Sequence, residues 1–226
     1  MRIGIFSDIH GNAENLEIVL RELSGCDRLV CLGDLFGYDD PVEEVVDMLE
    51  DAGAVCLLGN HDLELLLGRS VFPDRFANGR LAEVPVNPLF ADRLSDPCRS
   101  RVLEHRLAAV VREGEDTWHM VHSCLRRENG NLYFDYVGED NAEAVFSGHS
   151  SEVVFLGHTH IPGVGVLERE RPYSAQKAMR TLSFTPGPGQ RLVVNAGSVG
   201  KPRIPGMTYS YAVLDTITHR ITLVVA

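Results

Sequence analysis

The sequence predicts an α/β protein built around a parallel sheet. Short apolar runs recur through the first quarter of the chain, and each ends in a loop combining Gly with Asp, Asn or His. Each loop then opens a segment with apolar residues at helical spacing. Successive strand–loop–helix units join parallel strands by right-handed crossovers, which brings their loops to one edge of the sheet.

In order, Arg2 to Ser7 reads as the first strand, ending in Asp8-Ile9-His10-Gly11-Asn12. Asn12 to Leu23 follows as a helix, with Leu16, Val19, Leu20 and Leu23 on one face and Asn12 at its N-cap. Arg28 to Leu32 is the second strand, leading into Gly33-Asp34-Leu35-Phe36-Gly37. Pro41 opens the second helix, with Val42, Val45, Val46 and Leu49 on its buried stripe. Ala54 to Leu58 is the third strand and runs into Gly59-Asn60-His61-Asp62.

From Arg69 to Asp96 the periodicity dissolves among prolines and charges, which predicts irregular structure near the mouth of a site. A helix is expected near Cys98 to His105. Alternation at Ala108 to Arg112 and Thr117 to Val121 predicts an antiparallel pair, ending at His122-Ser123. Asp140 to Ser147 reads as a helix and Val153 to Leu156 as a buried strand before Gly157-His158-Thr159-His160. Val164 to Leu167 is a further strand, and Glu168 to Gln190 an exposed excursion. Arg191 to Val194 leads to Asn195-Ala196-Gly197-Ser198, and Tyr209 to Asp215 with Arg220 to Val225 close the chain as a hairpin. No repeat or composition shift marks a second unit, so one domain over 1–226 is expected.

Composition narrows the function. The formal charge of -11 disfavours nucleic-acid and anionic-membrane binding, which need basic surface. No apolar run approaches the roughly 20 residues of a membrane span. Five cysteines without a CxxC pair, behind an opening that reads as a strand, predict reduced thiols and a cytoplasmic location.

The chemistry sits at the strand ends. Asp8, His10, Asp34, Asn60, His122, His158 and His160 all follow apolar runs. Any one alone reads as a cap, a turn or a surface residue. Together their oxygens and imidazoles suit first-row divalent metals such as Mn, Fe, Co, Ni or Zn. They are too many for one tetrahedral site but divide between two ions sharing a carboxylate. Two such ions about 4 Å apart clamp a phosphoryl group and generate hydroxide at neutral pH.

In order and position, DIHGN, GDLFG, GNHD, VHS and GHTH resemble the calcineurin-like metallophosphoesterase superfamily. The Gly33-to-Tyr38 stretch and NAGSVGKPR are most similar to its small bacterial phosphodiesterase and phosphatase group. The resemblance implies a four-layer αββα sandwich and a dinuclear-metal phosphoesterase acting on a small phosphate ester or nucleotide. It implies that Asp8, His10 and His160 hold one metal, that Asn60, His122 and His158 hold the other, and that Asp34 bridges them. His61 matches the histidine that assists the leaving oxygen. Two departures stand out. The phosphoprotein phosphatases carry Asp-Arg after the GD motif where this chain has Phe36-Gly37-Tyr38, so a protein phosphatase or a close diadenosine-tetraphosphatase relative is disfavoured. His122 is followed by Ser123 where His-Gly is usual.

Alternatives stay open at several positions. His61 also fits a residue that only orients a ligand. Asn12 is a substrate contact or simply a cap, and Asn195 and Ser198 contact substrate or serve a Gly-rich turn. Arg203 and Lys201 attract a phosphate or form a solvated basic pair. Cys124 reads as a small buried hydrophobe, and His105, His119, His149 and His219 as structural or exposed. The rivals to a small-ester hydrolase are a non-catalytic interaction scaffold of the same fold and a dinucleoside polyphosphate hydrolase. No residue pattern names the substrate.

Overall fold

The computed structural model describes residues 1–38, 43–68, 71, 94–128, 131–147, 150–168 and 171–226. β1 (Arg2–Phe6), β2 (Arg28–Cys31) and β3 (Val55–Cys56) are parallel neighbours. β13 (Ser210–Asp215) pairs antiparallel with β1, β14 (Arg220–Val225) with β13, and β11 (Leu182–Phe184) with β14. The first sheet therefore has the order β11-β14-β13-β1-β2-β3.

The second sheet has at its centre β12 (Arg191–Asn195), β8 (Val153–Leu156) and β5 (Asp116–Val121), all parallel. β4 (Ala108–Glu113) lies antiparallel on one side, and β9 (Gly163–Glu168) and β10 (Arg171–Lys177) on the other.

Alternation along the strands sorts side chains into layers. Ile3 and Ile5 of β1 and Ala212 and Leu214 of β13 meet Val153 and Phe155 of β8 and Leu192 and Val194 of β12 between the sheets. Phe6 and Tyr211 face the other way, onto α1 (Ala13–Glu22) and α2 (Glu44–Asp51) through Leu16, Val19, Val45, Val46 and Leu49. Val154, Leu156 and Val193 face outward from the second sheet onto α5 (Ala142–Val145) and Phe146. This is the α/β sandwich expected, with a thin fourth layer of one helical turn. No helix among the described residues is long and apolar enough to cross a membrane.

Several elements differ from expectation. The third strand shrinks to Val55–Cys56, because Leu57 bridges Arg106 and the Leu58 N–H donates to the Arg106 carbonyl at 2.7 Å. The helix expected near Cys98 to His105 is α4 (Asp96–Leu103), with the Ser95 hydroxyl capping it and Pro97 in its first turn. Proline is tolerated there because that turn's N–H groups lack helical acceptors anyway.

Glu168 to Gln190, expected as an exposed excursion, is largely exposed but regular, since it holds β10 and β11, the edge strands of opposite sheets. A register shift between Arg171 and Ser174 spans Pro172, a residue that strands accept at edges and bulges. A hairpin of β6 (Cys124–Glu128) and β7 (Asn131–Asp135) was not anticipated, although Asn129-Gly130 between two runs is a strong hairpin signal. The Pro41 helix start, the span 72–93 and His149 lie outside the described residues.

Candidate metal centre

The parallel strands of both sheets end at one shared edge, and the chemistry collects there. Asp8 and His10 follow β1, Asp34 follows β2, and Asn60 opens α3 (Asn60–Leu67) after β3. His122 follows β5, and His158 and His160 follow β8. Backbone bonds stitch these loops together. The Asp8 N–H donates to Gly33 O (2.9 Å), the His10 N–H to Asp34 O (3.1 Å) and the Gly157 N–H to His122 O (3.0 Å).

Carboxylate and imidazole atoms from Asp8, His10, Asp34 and His160 lie within 4.8 Å of one another, as do those from Asp34, His122 and His158. Asp34 belongs to both groups. Asn60 Oδ1 joins the second, 2.8 Å from His158 Nδ1 and 3.2 Å from His122 Nε2. All seven side chains are buried.

Hydrogen bonds orient three of the imidazoles. His10 Nδ1 donates to Phe36 O (2.8 Å), His122 Nδ1 to Leu32 O (3.1 Å) and His160 Nδ1 to Lys201 O (2.7 Å). A neutral ring whose Nδ1 carries the proton presents a lone pair at Nε2. The Nε2 atoms of His10 and His160 face each other at 3.0 Å, and Asp8 Oδ1 lies 3.1 Å from the latter. Among the described residues, none donates a hydrogen bond to that buried carboxylate oxygen. With the rings neutral and both Nδ1–H groups committed, these acceptor atoms converge on one buried space, so the residues fit a divalent metal.

The electrostatics point the same way. Burial works to raise the Asp8 carboxyl, yet the His10 and His160 imidazoles hold it well below the usual range. Asp34 is likewise low, with His122 and His61 outweighing its burial. Burial and the neighbouring His122 push His158 down to about 3, so its ring is neutral. Burial opposes protonation of His122, but the facing Asp34 carboxylate raises it to about 9.

The backbone is strained where these groups converge. Among the described residues, seven non-glycine residues have positive φ, and six of them, Asp8, His10, Asp34, Tyr38, His158 and His160, belong to this site. Such conformations are uncommon for side-chain-bearing residues and cluster where surrounding structure enforces them. Gly59 is required by close approach, since a Cβ there would lie 2.0 Å from Asp34 Oδ1.

The other residues singled out by sequence take varied places. The His61 N–H donates to Asp34 Oδ1 at 2.9 Å. Its ring packs edge-on to His10 (centroids 5.2 Å apart) and remains partly open to solvent. Asn12 caps α1 by accepting from the Asn15 N–H, and its amide reaches Gly200 O at 3.5 Å. Asn195 donates to Gly157 O and Thr159 Oγ1 and accepts from the Gly197 N–H. Ser198 donates to Asp8 O and accepts from the Lys201 N–H. The polar groups of Asn195 and Ser198 are thus committed to holding loops. Arg203 stands exposed at the mouth, its Nη2 donating to the Tyr38 hydroxyl at 3.0 Å.

Three contributors carried no assignment from sequence. Asp62 accepts from the N–H groups of Asp34 (2.8 Å), Leu35 (2.8 Å), Phe36 (3.2 Å) and Gly59 (2.9 Å). Burial and the facing Asp34 charge push its carboxyl up to about 6, while these donors pull it down. Its position three residues after Gly59 at a helix start is a capping signal legible in sequence. Tyr38 packs on His10 and His61 (4.7 and 4.9 Å), and Tyr136 on His158 (4.9 Å). Tyr38 closes the Gly33-to-Tyr38 stretch without a role of its own there, and no pattern in the sequence marks Tyr136.

Comparison with known proteins gives the family and the fold. Residues 1–219 match the calcineurin-like phosphoesterase superfamily domain. An uncharacterized protein of Methanocaldococcus jannaschii is 26% identical over 224 residues, covering 98% of this chain and 86% of its own length. A metallophosphoesterase from Sphaerobacter thermophilus superposes with a TM-score of 0.73 at 24% identity, covering 100% of this chain and 88% of the other. A hypothetical protein from Pyrococcus horikoshii OT3 superposes at 0.67 and 17% identity, covering 100% and 87%.

Proposed function

The chain belongs to the calcineurin-like phosphoesterase superfamily and is a metal-dependent phosphoric ester hydrolase, and from that premise we propose that it cleaves a small phosphate ester at a dinuclear centre. Asp8, His10 and His160 would hold one divalent cation, Asn60, His122 and His158 the second, and Asp34 both. The observation carrying this reading is the 3.0 Å approach of His10 Nε2 to His160 Nε2 with both Nδ1 atoms committed to carbonyls. Bound cations, manganese first among the candidates, supply Lewis acidity at phosphorus and lower the pKa of water to near neutrality.

The chain's own groups do the rest. The His61 backbone N–H fixes one oxygen of Asp34, and its partly exposed imidazole would give a proton to the departing ester oxygen. The buried carboxylates are held ionised by the facing imidazoles. The charge of -11 favours a small ester over nucleic acid, and five free cysteines are in keeping with a cytoplasmic protein.

The test is elemental analysis after reconstitution with Mn, combined with a panel of phosphomonoesters, phosphodiesters and dinucleoside polyphosphates. Turnover of bis-p-nitrophenyl phosphate is expected to fall about 10²–10⁴-fold in His61→Ala. Asp34→Asn should abolish it together with stoichiometric metal. Tight metal binding with no turnover anywhere on the panel would favour a scaffold instead.

A further inference from the structure

Two phenols and one guanidinium meet at the mouth of the centre. Tyr38 comes from the loop after β2, and its ring packs on His10, His61 and His160 at 4.7, 4.9 and 6.0 Å. Tyr136 follows β7, and its ring packs on His158 at 4.9 Å. Each tyrosine therefore rests on a different half of the centre. Arg203 donates to the Tyr38 hydroxyl at 3.0 Å and also engages the Tyr136 hydroxyl. Its backbone N–H donates to His160 O at 3.2 Å, anchoring the same residue from below.

We propose that Arg203 grips a non-bridging oxygen of the substrate phosphoryl group, and that Tyr38 and Tyr136 are the positioning residues that hold its guanidinium across both halves of the centre. The proposal rests on the phosphoesterase reading and adds the group that receives the phosphate.

Among the described residues the side-chain partners of Arg203 are phenols rather than carboxylates. Neutral acceptors orient a guanidinium without consuming its charge, which stays available to an anion. A guanidinium has five N–H donors, so two phenols leave several free in a planar fork that matches phosphate.

The supports of both tyrosines are themselves built in. Tyr38 adopts φ 64, a left-handed conformation that side-chain-bearing residues rarely hold without enforcement. Ser123, beside His122, donates to the carbonyl of Asp135, the residue before Tyr136. Phe36-Gly37-Tyr38, where the phosphoprotein phosphatases carry Asp-Arg, and Ser123, where His-Gly is usual, thus each serve one tyrosine.

The test uses Mn-loaded protein and inorganic phosphate as probe, read by equilibrium dialysis, with metal content and Tm measured alongside. Arg203→Gln is expected to raise the phosphate Kd about tenfold or more, with metal content and Tm unchanged. Arg203→Lys should not restore it, because a point charge lacks the fork. The Tyr38→Phe/Tyr136→Phe double variant should weaken phosphate binding about threefold to tenfold, and should add nothing in the Arg203→Gln background. KM for bis-p-nitrophenyl phosphate should follow the phosphate Kd, while kcat falls less.

An unchanged phosphate Kd in Arg203→Gln overturns the proposal. So does an undiminished effect of the phenylalanine substitutions once Arg203 is gone. Wild-type protein that binds metal and phosphate yet hydrolyses no ester sinks the hydrolase reading and leaves the clamp standing, whereas wild type that binds no phosphate sinks both.

Discussion

Asp62 reaches back 28 residues to the backbone N–H of Asp34, accepting at 2.8 Å, and the same carboxylate collects Leu35, Phe36 and Gly59. It shapes the loop that presents Asp34 without itself facing the metal position. Replacing it strands four buried donors, so Asp62→Ala is expected to cost about 3–5 kcal/mol, measured as a shifted denaturation midpoint at constant m. A loss under about 1 kcal/mol would mean that the loop holds itself.

Cation binding should register as stability. A ligand present at a hundredfold excess over its Kd adds about 2.7 kcal/mol, which for a chain of this size raises Tm by about 5–10 °C. Scanning calorimetry of chelated and Mn-reconstituted protein reads this directly. Equal Tm values would show that the folded chain gains nothing from the ion.

Gly37 controls the pose of His61. With φ 112 it occupies backbone that favours glycine, and a Cβ there would fall 2.7 Å from His61 Cγ and Nδ1. Gly37→Ala is expected to displace the His61 ring and cut kcat about 10–100-fold while metal content holds. Metal loss in step with kcat would instead place the damage at Asp34.

Asn12 separates a cap from a substrate contact. Asn12→Ser keeps a capping oxygen, so stability should stay within about 0.5 kcal/mol of wild type, whereas Asn12→Ala should lose about 1 kcal/mol. KM is expected to be unchanged in the serine variant, because the asparagine side chain is committed to Asn15 and Gly200. A KM increase in Asn12→Ser would reveal a phosphate contact.

The fold was legible where local pattern governs it. Leu16 and Val19 mark one face of α1, and Val153 to Leu156 stand as a short apolar run because both faces of β8 are buried. β10 and β11 escaped notice because edge strands tolerate proline, charge and irregular register, which erases alternation.

By itself the sequence determined which side chains could ligate a metal and that they follow strand ends, since residue type and apolar spacing are local properties of the chain. Only the tertiary structure decided what surrounds them. Arg203 meets Tyr38 across 165 residues, and Asp62 meets Asp34 across a strand and a helix. Neither meeting leaves a trace in spacing, because contacts between distant segments are set by how the sheets and loops pack and not by any local periodicity.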